Sequence, residues 1–150
     1  MAAKAKGDLG QTELAIVGRL FDRLYQTPVG LAKNNEATPI ATTDVALSGW
    51  GAGATVSTVT GNDNGGTITV TTSVLGTPGA NPTVTLTFKD GQWDSPGPVF
   101  LANQNDASTG LFGVVLSSAT QTAGKITFVG TPTALTAATY VFNFTSKHTG

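Results

Sequence analysis

The chain of 150 residues contains no cysteine, which excludes disulfide staples, thiolate zinc sites and a cysteine nucleophile. It contains one histidine, His148, in a polar stretch near the C-terminal end. A two-histidine metal site is therefore excluded, and a Ser-His-Asp arrangement would rest on a base with no fixed position and no orienting partner. Charge is scarce and balanced: eight basic and nine acidic residues leave a formal net charge of −1. No electrostatic footprint for nucleic acid follows from that balance. No segment approaches the ~20 consecutive apolar residues of a membrane-spanning helix, and the opening residues Met1–Asp8 lack the apolar run of a signal peptide. The expectation is synthesis and folding in the cytoplasm, with no membrane partner.

The charge that is present is unevenly placed. Lys4, Lys6, Arg19 and Arg23 make up half of the basic residues and all precede residue 27, whereas between Val45 and Phe88 the only charged side chain is Asp63. A surface so poor in charge resists aggregation weakly on its own. The expectation is a chain covered by a partner, as in an oligomer or a lattice.

In place of charge the sequence has threonine. In Gly61–Ser73 a turn of Asn, Asp and Gly runs into a strictly alternating segment, with Ile68 and Val70 on one face and Thr67, Thr69 and Thr71 on the other. Threonine is stiff at χ1 and suits a pleated surface, while its hydroxyl is satisfied by water. From Val45 onward the pattern is short strands between turn residues. The segments are Ala54–Thr60, Thr67–Val74, Thr83–Phe88, Pro98–Leu101, Leu111–Ser117, Lys125–Phe128 and Thr139–Phe144. This spacing predicts a mainly β fold, an antiparallel β-sandwich or jelly-roll-like domain over residues 45–150. Alternation is cleanest in Val84, Leu86 and Phe88, in Ile126 and Phe128, and in Tyr140, Phe142 and Phe144.

Residues 1–44 read differently. Leu14, Val17, Phe21 and Leu24 recur at spacings of three, four and three, and Ile16, Leu20 and Tyr25 widen the stripe. The spacing predicts an α-helix over residues 9–26, with Asp8 or Thr12 at its start and Pro28 at its end, followed by an extended arm over 27–44. A helix this short must pack on something. Its own β-domain, a symmetry axis and a partner protein are all open, with Leu14, Val17, Leu20, Phe21, Leu24 and Tyr25 as the contact residues.

A search for chemistry finds little. Asn62-Asp63-Asn64-Gly65 resembles the start of a calcium loop but lacks the later carboxylate, since no Asp or Glu follows before Asp90. It reads as a tight turn in which Asn64-Gly65 supply positive φ. Gly49-Trp50-Gly51-Ala52-Gly53 has the glycine density of a phosphate loop but precedes a strand and has no Lys-Ser/Thr pair. Trp93 beside Asp94 could stack on a sugar, with Asn103 and Asn105 in a nearby polar loop, although such a tryptophan more often caps a sandwich core. Carboxylates for glycoside hydrolysis would have to come from Asp90 with Asp94 or Asp106, and nothing orients them. No catalytic residue, metal or cofactor is expected.

The run from Gly61 to Phe100 resembles a domain of tailed-bacteriophage structural proteins. The matching features are the turn Gly61-Asn62-Asp63, the strand Gly66–Thr72, the alternating strand Val84–Phe88 and the start Pro98-Val99-Phe100, with a late aromatic strand at Tyr140–Phe144. The resemblance spans most of residues 55–145. It implies a non-enzymatic virion protein, most simply a capsid decoration (cement) protein that binds a major capsid protein or another virion protein, often as a homotrimer. The alternative is a fibre-type receptor- or glycan-binding module. The N-terminal helix and arm lie outside the resemblance.

Overall fold

A computed structural model describes residues 38–90, 93, 97–132 and 137–147. The expected helix and most of the arm, including Leu14, Val17, Leu20, Phe21, Leu24 and Tyr25, lie outside the described residues, as does Asp94. The described part is mainly β, with one short 3₁₀ turn at Thr42–Asp44. Its strands are β1 (Val45–Ser48), β2 (Thr55–Asn62), β3 (Gly65–Thr71), β4 (Thr83–Thr87), β5 (Val99–Gln104), β6 (Val114–Ala119), β7 (Ala123–Val129) and β8 (Thr139–Lys147).

They form two antiparallel sheets of four, in the orders β1-β4-β7-β6 and β2-β3-β8-β5. Only the β2–β3 and β6–β7 hairpins stay within a sheet; every other connection crosses between the two. Residues of one parity on each strand point between the sheets. Ile68, Val70, Val84, Leu86, Ile126, Phe128, Tyr140 and Phe142 are all 0–1 % exposed, as a sandwich core requires. Each such side chain contributes roughly 1.5–3 kcal/mol by leaving water.

An aromatic chain runs through this layer. Trp50 packs on Tyr140, Phe142 and Phe128 at centroid distances of 5.2, 6.0 and 6.1 Å. Phe88 meets Trp93 and Phe100 edge-on, and Phe100 stacks on Phe144 at 5.7 Å. These separations fall in the range where ring quadrupoles add to area burial.

The glycine-rich run before β2 delivers Trp50 into the core. Gly49, Gly51 and Gly53 all have positive φ (77°, 87° and 78°), so the chain coils tightly around the one large residue among them. The indole N–H donates to the Thr83 carbonyl at 3.0 Å, which satisfies the buried donor.

Several boundaries differ from the sequence pattern, each for a local reason. β1 was not anticipated, although Val45 and Leu47 alternate with Ala46 and Ser48; four residues are too few for periodicity to register. β3 ends at Thr71 rather than Val74. Thr72 turns inward, and its hydroxyl donates to the Ala138 carbonyl and accepts from the Ala138 N–H, which stops the ladder. Val74 and Leu75 consequently sit in an exposed loop. β6 begins at Val114, after Gly110 and Gly113, whose missing side chains leave room for the rings of Tyr140 and Phe128. At the β2–β3 hairpin the positive φ falls on Gly61 (98°), inside the end of β2, and not on Asn64 or Gly65.

Candidate interaction surface

With the core filled by apolar side chains, the outer faces hold whatever the molecule uses for recognition. On the β2-β3-β8-β5 sheet the register aligns Thr60, Thr67, Asn143 and Asn103 in one row across all four strands. Thr58 and Thr69 lie in the next row, and Thr55 and Thr71 in the one after that. The row is bonded internally. Thr67 Oγ1 donates to Asn143 Oδ1 at 3.1 Å, and Asn105 Nδ2 donates to the same oxygen at 3.1 Å. A β-bulge at Ser57 lets its hydroxyl donate to the Thr69 carbonyl and accept from Thr71 Oγ1. The threonine alternation around Ile68 and Val70 therefore faces outward, as the sequence pattern requires.

A shallow depression of about 230 Å³ opens beside this row, between β5 and β8, lined by Leu101, Ala102, Asn103, Asn143, Phe144 and Thr145. It offers amide and hydroxyl groups over an apolar floor and no titratable group, so it can bind but not transfer protons. Asn103 lines it directly. Asn105 lies one step behind, spending its Nδ2 on Asn143 and its Oδ1 on the Ala107 N–H in a local turn. Asn143 was not singled out from the sequence; read alone, it is one polar residue in an aromatic strand, and only strand pairing places it opposite Asn103.

Trp93 is a core residue, as the sandwich-capping reading expects, and not a ligand platform. It is 3 % exposed, its ring meets Phe88 at 5.8 Å, and its backbone exchanges hydrogen bonds with Gln121. Stacking on a sugar needs a free ring face, which this position lacks. Trp93 shares its neighbour Phe88 with Phe100 at the start of β5, whereas Asn103 lies three residues, roughly 10 Å, further along and points to the opposite side of the sheet.

Asp63 is likewise committed to structure. The carboxylate, 3 % exposed, accepts from the Lys89 N–H at 2.9 and 2.8 Å and from the Asp90 N–H at 2.7 Å. Burial raises its pKa above the usual carboxylate value, with the Asp90 and Asp44 charges acting in the same sense and the N–H donors opposing. Asp90 in turn accepts from the N–H and hydroxyl of Thr38, and Asp44 accepts from the Ala41 N–H and pairs with Lys89 at 2.9 Å. These links fasten the incoming chain to the end of the sandwich. The Ala41 and Lys89 bonds hold the Asp44 carboxyl below its usual value. Among the described residues, no three His, Cys, Asp or Glu side chains gather as a metal centre would require.

A second surface was missed altogether. Nine large apolar side chains are exposed among the described residues, and seven gather on one side of the molecule. They are Val99 and Leu101 on β5, Leu111 and Phe112 in the following loop, Val114 and Leu116 on β6, and Val129, which is paired with Val114. β5 and β6, edge strands of opposite sheets, lie against each other along that side. The signal was in the sequence: Val99-Phe100-Leu101 and Val114-Val115-Leu116 are apolar triplets, and in a strand the outer two of a triplet must face away from the middle one.

Compared with protein-family models, curated proteins and solved structures, the chain matches none of them significantly.

Proposed function

We propose that the protein is a non-enzymatic virion structural protein of the capsid-decoration type, anchored to an assembled shell by its N-terminal third and presenting the β-domain outward. The observation that carries this reading is the outer face of the β2-β3-β8-β5 sheet, where threonine and asparagine predominate, interrupted by Val141 and Leu101, with no charged group in the central rows. Such a face is durable and indifferent to pH and salt, which suits an exterior module. The motifs in residues 55–145 that resemble those of phage structural proteins motivate the same reading, as does the apolar stripe of the N-terminal segment. In mechanism, each subunit bridges neighbouring shell proteins and buries apolar surface at ~25 cal/mol per Å². Because it binds only the assembled form, it stabilises the shell by mass action.

The depression lined by Leu101, Asn103, Asn143 and Thr145 favours one alternative, a receptor- or glycan-binding module at the virion surface. Co-sedimentation with capsid shells and a glycan array separate the two. Decoration requires that the full chain pellets with shells and that Phe21→Asp with Leu24→Asp abolishes pelleting while the β-domain melts unchanged. Glycan recognition requires instead that Asn143→Ala removes array binding and leaves pelleting intact. A chain that ignores both shells and glycans overturns both readings.

A further inference from the structure

We infer that the β5–β6 side of the sandwich is a self-association surface, occupied by a second copy of this chain. The starting observation is the concentration of exposed apolar side chains there: Leu101, Leu111, Phe112, Val114 and Leu116 are each 57–65 % exposed, and Val99 and Val129 about 40 %. Seven such side chains on two adjoining edge strands, the loop between them and the neighbouring β7 go beyond the singly scattered apolar residues of an ordinary monomer surface. The hydrophobic residues elsewhere on the described surface, Val74 and Leu75, are confined to one loop and do not make a comparable face.

The charge pattern points to a copy rather than to an unrelated partner. The centre of the face carries no charged side chain. Lys147 and Lys125 stand at its margin, opposite Val99 and Ser118 in the strand register. Two copies brought together on this side oppose no like charges at the centre and keep their lysines at a hydrated rim, the arrangement of a stable interface. A partner selected by charge would find only the two rim lysines to pair with and none at the centre. The backbone agrees with this use. β5 and β6 carry no lysine, no proline and no inward charge, the devices that normally keep edge strands apart. The inference concerns the subunit itself and does not depend on whether the larger particle is a virion.

The absence of cysteine makes a clean test available on the full-length chain. Leu116→Cys places one thiol at the centre of the face, and Thr58→Cys places one on the exposed β2 edge at the far end of the other sheet. Both parent residues are exposed, so neither change removes core packing. Maleimide alkylation is then followed across a dilution series. The expected result is that Cys at 116 reacts about tenfold more slowly at high protein concentration than at low, while Cys at 58 reacts at the same rate throughout. Adding Leu101→Asp should restore fast reaction at 116 at every concentration, and light scattering should show the wild type falling to monomer on dilution. Protection at 116 that persists at the greatest dilution while light scattering reads a monomer would mean that a segment of the same chain covers the face, and would overturn the inference. Fast reaction at all concentrations would overturn it too, by showing that no copy binds there.

Discussion

At the scale of single residues, the described structure spends its few special side chains on holding itself together. Trp50, Trp93 and Asp63 are the residues a search for chemistry notices first, and each is buried: Trp50 and Asp63 with their side-chain polar groups engaged, Trp93 with its backbone bonded to Gln121. Asp63 has a measurable consequence. Its folded-state pKa lies above the unfolded value, so the folded form holds the proton to higher pH. The stability tied to this group is therefore fully present below the unfolded carboxylate pKa of ~3.9 and declines as pH rises through the folded value. Asp44 has the opposite sign: its lowered pKa gives stability that is present above the unfolded value and lost as pH falls through the folded one. Urea titrations of wild type and Asp63→Asn at steps upward from pH 3.5 separate the two. The variant should lack the decline assigned to Asp63, and parallel curves for the two proteins would refute the assignment.

At the scale of elements, the strands were legible where alternation was long and its apolar members large. β3, β4, β7 and β8 fall close to where the pattern puts them, because Ile68, Val84, Phe128 and Phe142 must all reach one interior. Boundaries failed where a side chain or a missing side chain decided the path: Thr72 ends β3 with its hydroxyl, and the gaps at Gly110 and Gly113 carry the chain over aromatic rings. The candidate site was legible only in fragments. Asn103 and Asn105 were visible as polar loop residues, but their neighbour Asn143 is distant in sequence, and only the β5–β8 register joins them. The same dependence on pairing explains Gly124, which faces the ring of Phe100 across the sandwich with no room for a Cβ. Gly124→Ala should cost about 1–3 kcal/mol as an overpacked core position. Gly79→Ala, whose Cβ would meet only the Gly49 carbonyl at 3.7 Å, should be nearly neutral. Equal melting temperatures for the two variants would contradict this packing.

At the scale of the whole molecule, electrostatics contributes little to cohesion among the described residues. The Lys89–Asp44 ion pair is exposed enough for salt to screen it, and the remaining contacts described above are apolar or hydrogen-bonded. The urea midpoint at neutral pH should therefore shift only slightly between low and high sodium chloride, and a large fall with salt would show that charge does more than the structure indicates. Topology has a further consequence. β8 lies between β3 and β5, and its pairing with β3 joins residues as far apart as Gly65 and Thr145. Until residues 139–147 have been synthesised, β3 lacks its second neighbour, β5 lacks the strand it is hydrogen-bonded to, and the aromatic layer lacks Tyr140, Phe142 and Phe144. Loop closure over such distances is slow. During translation the hairpins β2–β3 and β6–β7 can form alone, but the sandwich cannot, so the apolar side at β5–β6 is first displayed only as the subunit completes its fold. A newly made chain thus becomes competent to meet its own copies once β8 has been made, and not before.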